Sequence, residues 1–91
     1  MEMITIIGRR WFQKTYGNTY HSVVVLVDGE EIGREPFAYG YGDQYIQTAH
    51  ELLVKAGKFT GDYSAFYQDR MGENRGNYVI TVSDVARQKD L

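Results

Sequence analysis

The chain has 91 residues, no cysteine, and ten basic against twelve acidic side chains, for a net charge of −2. That length makes one domain able to bury roughly 60–65% of its unfolded surface, and the missing cysteine excludes disulfides, thiolate catalysis and Cys-ligated zinc or iron–sulfur centres. The charge argues against broad, salt-driven binding to nucleic acid, which needs several Lys or Arg side chains set on phosphates. Both signs are mixed along the chain, four basic and six acidic groups in residues 1–45 and six of each in 46–91. The longest apolar run, Val23 to Val27, is far short of the roughly 20 residues that cross a bilayer. Met1-Glu2-Met3-Ile4 has neither a basic stretch nor a following apolar core, so no secretory signal is expected and the cytoplasm is the expected location.

Residues 2–12 read as a first strand, with Met3, Thr5 and Ile7 on one face, Ile4 and Ile6 on the other, and Trp11-Phe12 at its end. Lys14-Thr15-Tyr16-Gly17-Asn18 has the Gly-Asn chemistry of a hairpin connection. The second strand runs from about Thr19 to Val27. Its Val-rich centre lacks polar alternation, so it is expected in the middle of the sheet and buried on both faces. Asp28-Gly29 is the strongest two-residue hairpin signal of the chain. A short third strand, Glu31 to about Glu35, is expected to stop at Pro36, which cannot donate to a ladder.

Pro36-Phe37-Ala38-Tyr39-Gly40-Tyr41-Gly42 reads as an aromatic-glycine loop, with Phe37 the member expected to reach the core. A helix follows from about Asp43 to Ala56, where Tyr45, Ile46, Ala49, Leu52, Leu53 and Ala56 form one apolar stripe. Asp43 is expected to cap its first amides and Gly57 to supply the left-handed stop. Within 58–77, Asp62 before Tyr63, Phe66 and Tyr67 suggests a short helical turn, and Gly72 to Gly76 a loop. A last strand spans Tyr78 to Val85, and residues 86–91 read as a polar tail. The order β-β-β-α-(α)-β predicts an α+β domain: an antiparallel sheet of about four strands with one main amphipathic helix on one face.

No constellation in the sequence carries catalysis. His50 beside Glu51 diverges from it around the helix and has no second His at i+4, so no helical zinc pair forms. His21, at the start of the buried strand, reads as a hydrogen-bonded histidine at the core's edge, and Ser22, Ser64 and Ser83 have no nucleophile motif around them. Gly40-Tyr41-Gly42 ahead of a helix hints at an anion site, but Asp43 would compete for the same amides and no Gly-Lys-Ser/Thr follows. The expectation is a non-enzymatic protein without metal or cofactor.

Eight tyrosines in so short a chain exceed what one core holds, and tyrosine is enriched at interfaces. A partner surface is therefore expected around Tyr16, Tyr20, Tyr39 and Tyr41, with Arg9 and Arg10 beside it. The alternative is a small nucleic-acid or nucleotide binder in which Arg9, Arg10 and Lys14 hold phosphates and tyrosines stack on bases, although adjacent Arg9 and Arg10 point to opposite faces of a strand. Ile4, Ile6, Val79 and Val85 give the outer strands more apolar side chains than one covered face absorbs. A two-fold homodimer packed on the uncovered face is expected; the competing arrangement folds residues 58–72 over that face with Phe59, Tyr63, Phe66 and Tyr67.

Gly8-Arg9-Arg10-Trp11-Phe12, Gly17-Asn18-Thr19-Tyr20-His21-Ser22-Val23 and Tyr39-Gly40-Tyr41-Gly42-Asp43-Gln44-Tyr45 together resemble small uncharacterised proteins encoded by bacteriophages, prophages and other mobile elements. The resemblance covers most of residues 4–56 and brings no catalytic residue with it. It implies an accessory protein of an infected or lysogenic bacterial cell, of the inhibitor or adaptor kind, whose partner is a host or phage protein.

Overall fold

The computed structural model describes residues 3–91; Glu2, included in the first expected strand, lies outside the described residues. The elements are β1 (Ile4–Gln13), β2 (Asn18–Val27), β3 (Glu30–Tyr39), α1 (Gln44–Lys55), α2 (Tyr63–Met71) and β4 (Tyr78–Val85), with short 3-10 turns at Arg75–Asn77 and Gln88–Asp90. They form the expected α+β architecture, a four-stranded sheet in the order β3-β2-β1-β4. The sheet is mixed rather than wholly antiparallel. β1, β2 and β3 pair antiparallel, whereas β4 pairs parallel to β1. Hairpins force antiparallel neighbours; β4 instead arrives by a crossover through both helices from the far edge, which leaves its direction free.

The hairpin turns follow their local chemistry. Asp28 and Gly29 both take positive φ, 52° and 83°, the pair that a type I′ turn requires. Asp28 also closes the end of the sheet: its N–H donates to the Met3 carbonyl at 2.8 Å and its Oδ1 accepts from the Met3 N–H at 2.8 Å. β3 does not stop at Pro36. His21 pairs with Ala38 and Val23 with Glu35, so Pro36 and Phe37 together face Ser22 and form a bulge. An edge strand tolerates proline where a bulge has already interrupted the ladder, and the strand resumes through Tyr39.

Along β1 and β2, alternate residues turn to one side and meet the helices. Ile4, Ile6, Val23, Val25 and Val27 are buried against Tyr45, Ile46, Ala49 and Leu53 of α1 and Phe66 of α2. α2 lies beside α1 on this same face. The Phe66 ring sits 5.2 Å from His50, 5.2 Å from Phe59 and 5.7 Å from Tyr78, an aromatic cluster that fills the gap between α1 and β4. Residues 58–72 therefore do not cover the second face. In consequence β2 is central but not buried on both sides, since Val24 and Leu26 stay half-buried.

Asp43 sits at the N-cap of α1, yet its carboxylate makes no capping bond; its backbone carbonyl receives the Ile46 N–H at 2.9 Å. The helix ends as expected. Gly57 has φ +73°, and the Lys58 N–H reaches the Leu53 carbonyl at 2.9 Å while Gly57 N–H reaches Val54 at 3.0 Å, the pair of bonds of a Schellman stop. Asp62 caps α2 with its side chain, accepting from the Ala65 N–H at 2.9 Å.

Candidate functional site on the open sheet face

The face turned away from the helices carries an aromatic cluster of Trp11, Tyr20, Phe37 and Tyr39, built by register. Trp11 pairs with Tyr20 and Tyr20 with Tyr39, and directly opposed residues of antiparallel strands share a face. The bulge at Pro36 brings Phe37 against the other side of Tyr20. Trp11 and Tyr20 stack at 5.7 Å and 26°, Tyr20 and Phe37 at 4.8 Å and 17°, and Tyr39 meets Tyr20 edge-on at 5.7 Å and 73°. Phe37 remains 42% exposed and Tyr39 63%. Ile7, paired with Val24 and Thr81, continues the apolar surface across the sheet toward exposed Met3 and Val79.

Charge borders this ridge. Arg9 stands opposite Ser22 and Ser83 on the open face and is exposed. Arg34, opposite Val24, donates from Nε and Nη2 to the two Glu31 carboxylate oxygens at 3.1 and 2.7 Å. That hydrogen bond holds the Glu31 carboxyl below its ordinary range, against a smaller opposing effect of desolvation. The tail beyond β4 carries the Gln88–Asp90 turn and ends in a half-buried Leu91, which shares a small hollow with Arg9, Ser22, Val24, Arg34 and Pro36.

The expected site residues divide among three places. Tyr20, Tyr39 and Arg9 come together on the open face. Tyr16 and Lys14 sit at the exposed β1–β2 turn, Tyr16 at 74% exposure. Tyr41 and Arg10 lie on the helix side, where they line a depression of about 350 Å³ with Phe12, Thr19, Gly42 and Asp84. Arg10 is already engaged, its Nε donating to Asp84 Oδ1 at 3.0 Å and its Nη1 to the Gly42 carbonyl at 3.2 Å. Phe37 is a correction: it stacks on the open face instead of entering the core. Trp11 and Phe37, the two ends of the stack, are the members the tyrosine count passes over. Their signal is cross-strand register, which no local pattern contains.

Several other polar side chains are bonded within the fold, and buried Arg70 lays its guanidinium over the Phe66 and Tyr67 rings, its Nε without a hydrogen-bond partner. His21, fully buried, is hydrogen-bonded through Nδ1 to the Gly40 carbonyl at 3.3 Å and through Nε2 to Thr48 Oγ1 at 2.8 Å. His50 Nε2 donates to the Gly61 carbonyl at 2.9 Å. Asp69 accepts from the Tyr78 hydroxyl and from Asn74 Nδ2, the latter at 2.6 Å. Burial, then that bond, pushes the Tyr78 phenol well above its ordinary range. Among the described residues, no group of three or more His, Asp or Glu side chains gathers as metal ligands do, and no helix is long and apolar enough to cross a membrane. Comparison with protein-family models, with curated proteins and with solved structures returns no match.

Proposed function

We propose that this is a non-enzymatic binding protein that engages a protein partner through the open sheet face. One observation carries the reading: Trp11, Tyr20 and Phe37 stack on one another across three strands, with Tyr39 edge-on, in a surface that the fold leaves uncovered. Rings stacked in this way stand up from the sheet and offer mainly their edges. A single-strand binder needs the reverse, with flat ring faces free for bases, and the face of Tyr20 toward each neighbour is already taken. Edges of stacked aromatics suit an apolar groove on another protein. Arg9 beside them suits an acidic group at that groove's rim. The resemblance to phage-encoded proteins supports a host or phage protein as the partner, met in the bacterial cytoplasm, and an inhibitor or adaptor role.

Site-specific photocrosslinking tests this. A photoreactive phenylalanine at Phe37 should capture a discrete partner in bacterial cells, and the Trp11→Ala change should abolish that capture while the protein stays folded. The same probe at Tyr67, exposed on α2, should capture nothing comparable. Equal capture from both positions, or retention on short oligonucleotides that fades with salt, would overturn the reading.

A further inference from the structure

The two edges of the sheet are built differently. β3 has Pro36 within it, two register irregularities, and the charges Glu30, Glu31, Arg34 and Glu35. Proline, bulges and charge are the devices that keep an edge from pairing. β4 has neither proline nor bulge and carries only one charge. It runs in unbroken register from Tyr78 to Val85 against β1, and that charge, Asp84, lies near its end and is held by Arg10. Val79, Ile80, Thr81, Val82 and Val85 are β-branched, the side chains a strand favours. Beyond the ladder with β1, residues 79–85 make no backbone hydrogen bond among the described residues. Alternate N–H and C=O groups of β4 therefore face outward without a protein partner. Val79 and Val82 flank that edge, one on each side of the sheet, and both are exposed.

We infer that β4 is a self-association edge, onto which a second copy adds its own β4 antiparallel about a two-fold axis at Thr81. The occupant follows from the strand's own sequence. An axis at Thr81 sets Thr81 against Thr81 of the second copy, Val79 against Ser83, Ile80 against Val82 and Tyr78 against Asp84. Every pair joins residues of like parity, so the open face continues onto open face and the helices stay together on the other side. The two Asp84 carboxylates are then about 20 Å apart along the strands, six residues at roughly 3.3 Å each; parallel addition would set them side by side. Because the outer edge of each copy is the guarded β3, growth stops at two and the product is one eight-stranded sheet. The dimer forms at the edge rather than on the face, which leaves the aromatic ridge free, and it does not depend on the partner reading above.

Sedimentation of the purified chain over a dilution series tests it. The contact is small, so the dimer should be weak, present at tens to hundreds of micromolar and lost on dilution. Thr81→Lys and Thr81→Glu, both at an exposed position, should each be folded monomers by circular dichroism. Mixed in equal amounts they should regain dimer mass, since opposite charges then meet across the axis, and salt should weaken the mixed pair. A wild-type monomer at every concentration overturns the proposal, as does a dimer that Thr81→Lys leaves intact. A mixture that stays monomeric overturns the pairing at Thr81.

Discussion

Gly8 carries no side chain because the ring of Tyr45 lies on it. A Cβ there would stand 2.6 Å from Tyr45 Cδ2, closer than atoms pack, and Tyr45 is itself buried. Gly8→Ala should therefore cost about 1–3 kcal/mol, the usual range for overpacking, read as a lower urea midpoint with an unchanged slope. Tyr78 offers a second test of the same scale. Its phenol keeps its proton to higher pH in the folded chain than in the unfolded one. The stability that follows is complete below the ordinary tyrosine pKa near 10 and is lost as pH rises through the higher folded value. Tyr78→Phe should cost about 1–2 kcal/mol at neutral pH, because the bond to Asp69 goes. The wild type should then lose its advantage as the solution becomes strongly alkaline. Parallel denaturation curves across that range would refute the assignment of the bond.

At the scale of elements, the Asp28-Gly29 turn shows how far local chemistry reaches. Gly29 has φ +83°, where a side chain costs about 1–2 kcal/mol, so Gly29→Ala should destabilise by that amount in thermal unfolding. The turn, the stripe of α1 apart from exposed Ala56, its Gly57 stop and the bounds of β4 were all legible because each is written within a few consecutive residues. The continuation of β3 past Pro36 was not. Proline cannot donate to a ladder, and only the bulge opposite Ser22 on an edge strand lets this one go on. The parallel placement of β4 was equally hidden, being fixed by a crossover rather than a turn. At Asp43 the residue type suits a cap, yet the loop conformation leaves its carboxylate outside. The site divides in the same way. Period-two alternation showed that Arg9 and Arg10 diverge, whereas the Trp11–Tyr20–Phe37 stack depends on which residues of three strands meet, and that is a property of the assembled sheet.

Across the whole molecule, the sheet separates a buried apolar side from an exposed aromatic one. Among the described residues, the helix side holds every fully buried apolar side chain, Phe66, Ile6, Leu53, Val23 and Val25 among them; the open side holds aromatics that are stacked but still wet. Two phenylalanines on opposite faces make the contrast measurable. Phe66 is 0% exposed and touches His50, Phe59, Tyr63 and Tyr78, so Phe66→Ala should cost about 3–5 kcal/mol. For a domain whose total stability is about 0.05–0.15 kcal/mol per residue, that is a large share and should lower the amount of native protein at 37 °C in a cell. Phe37, at 42% exposure, loses part of its area and one stacked pair, about 1–1.5 kcal/mol. The positions are distant enough that the double variant should show the sum of the two losses in urea unfolding. A Phe37→Ala loss as large as that of Phe66→Ala would mean that the open face is a second wall of the core, and its aromatics would then need no partner to explain them.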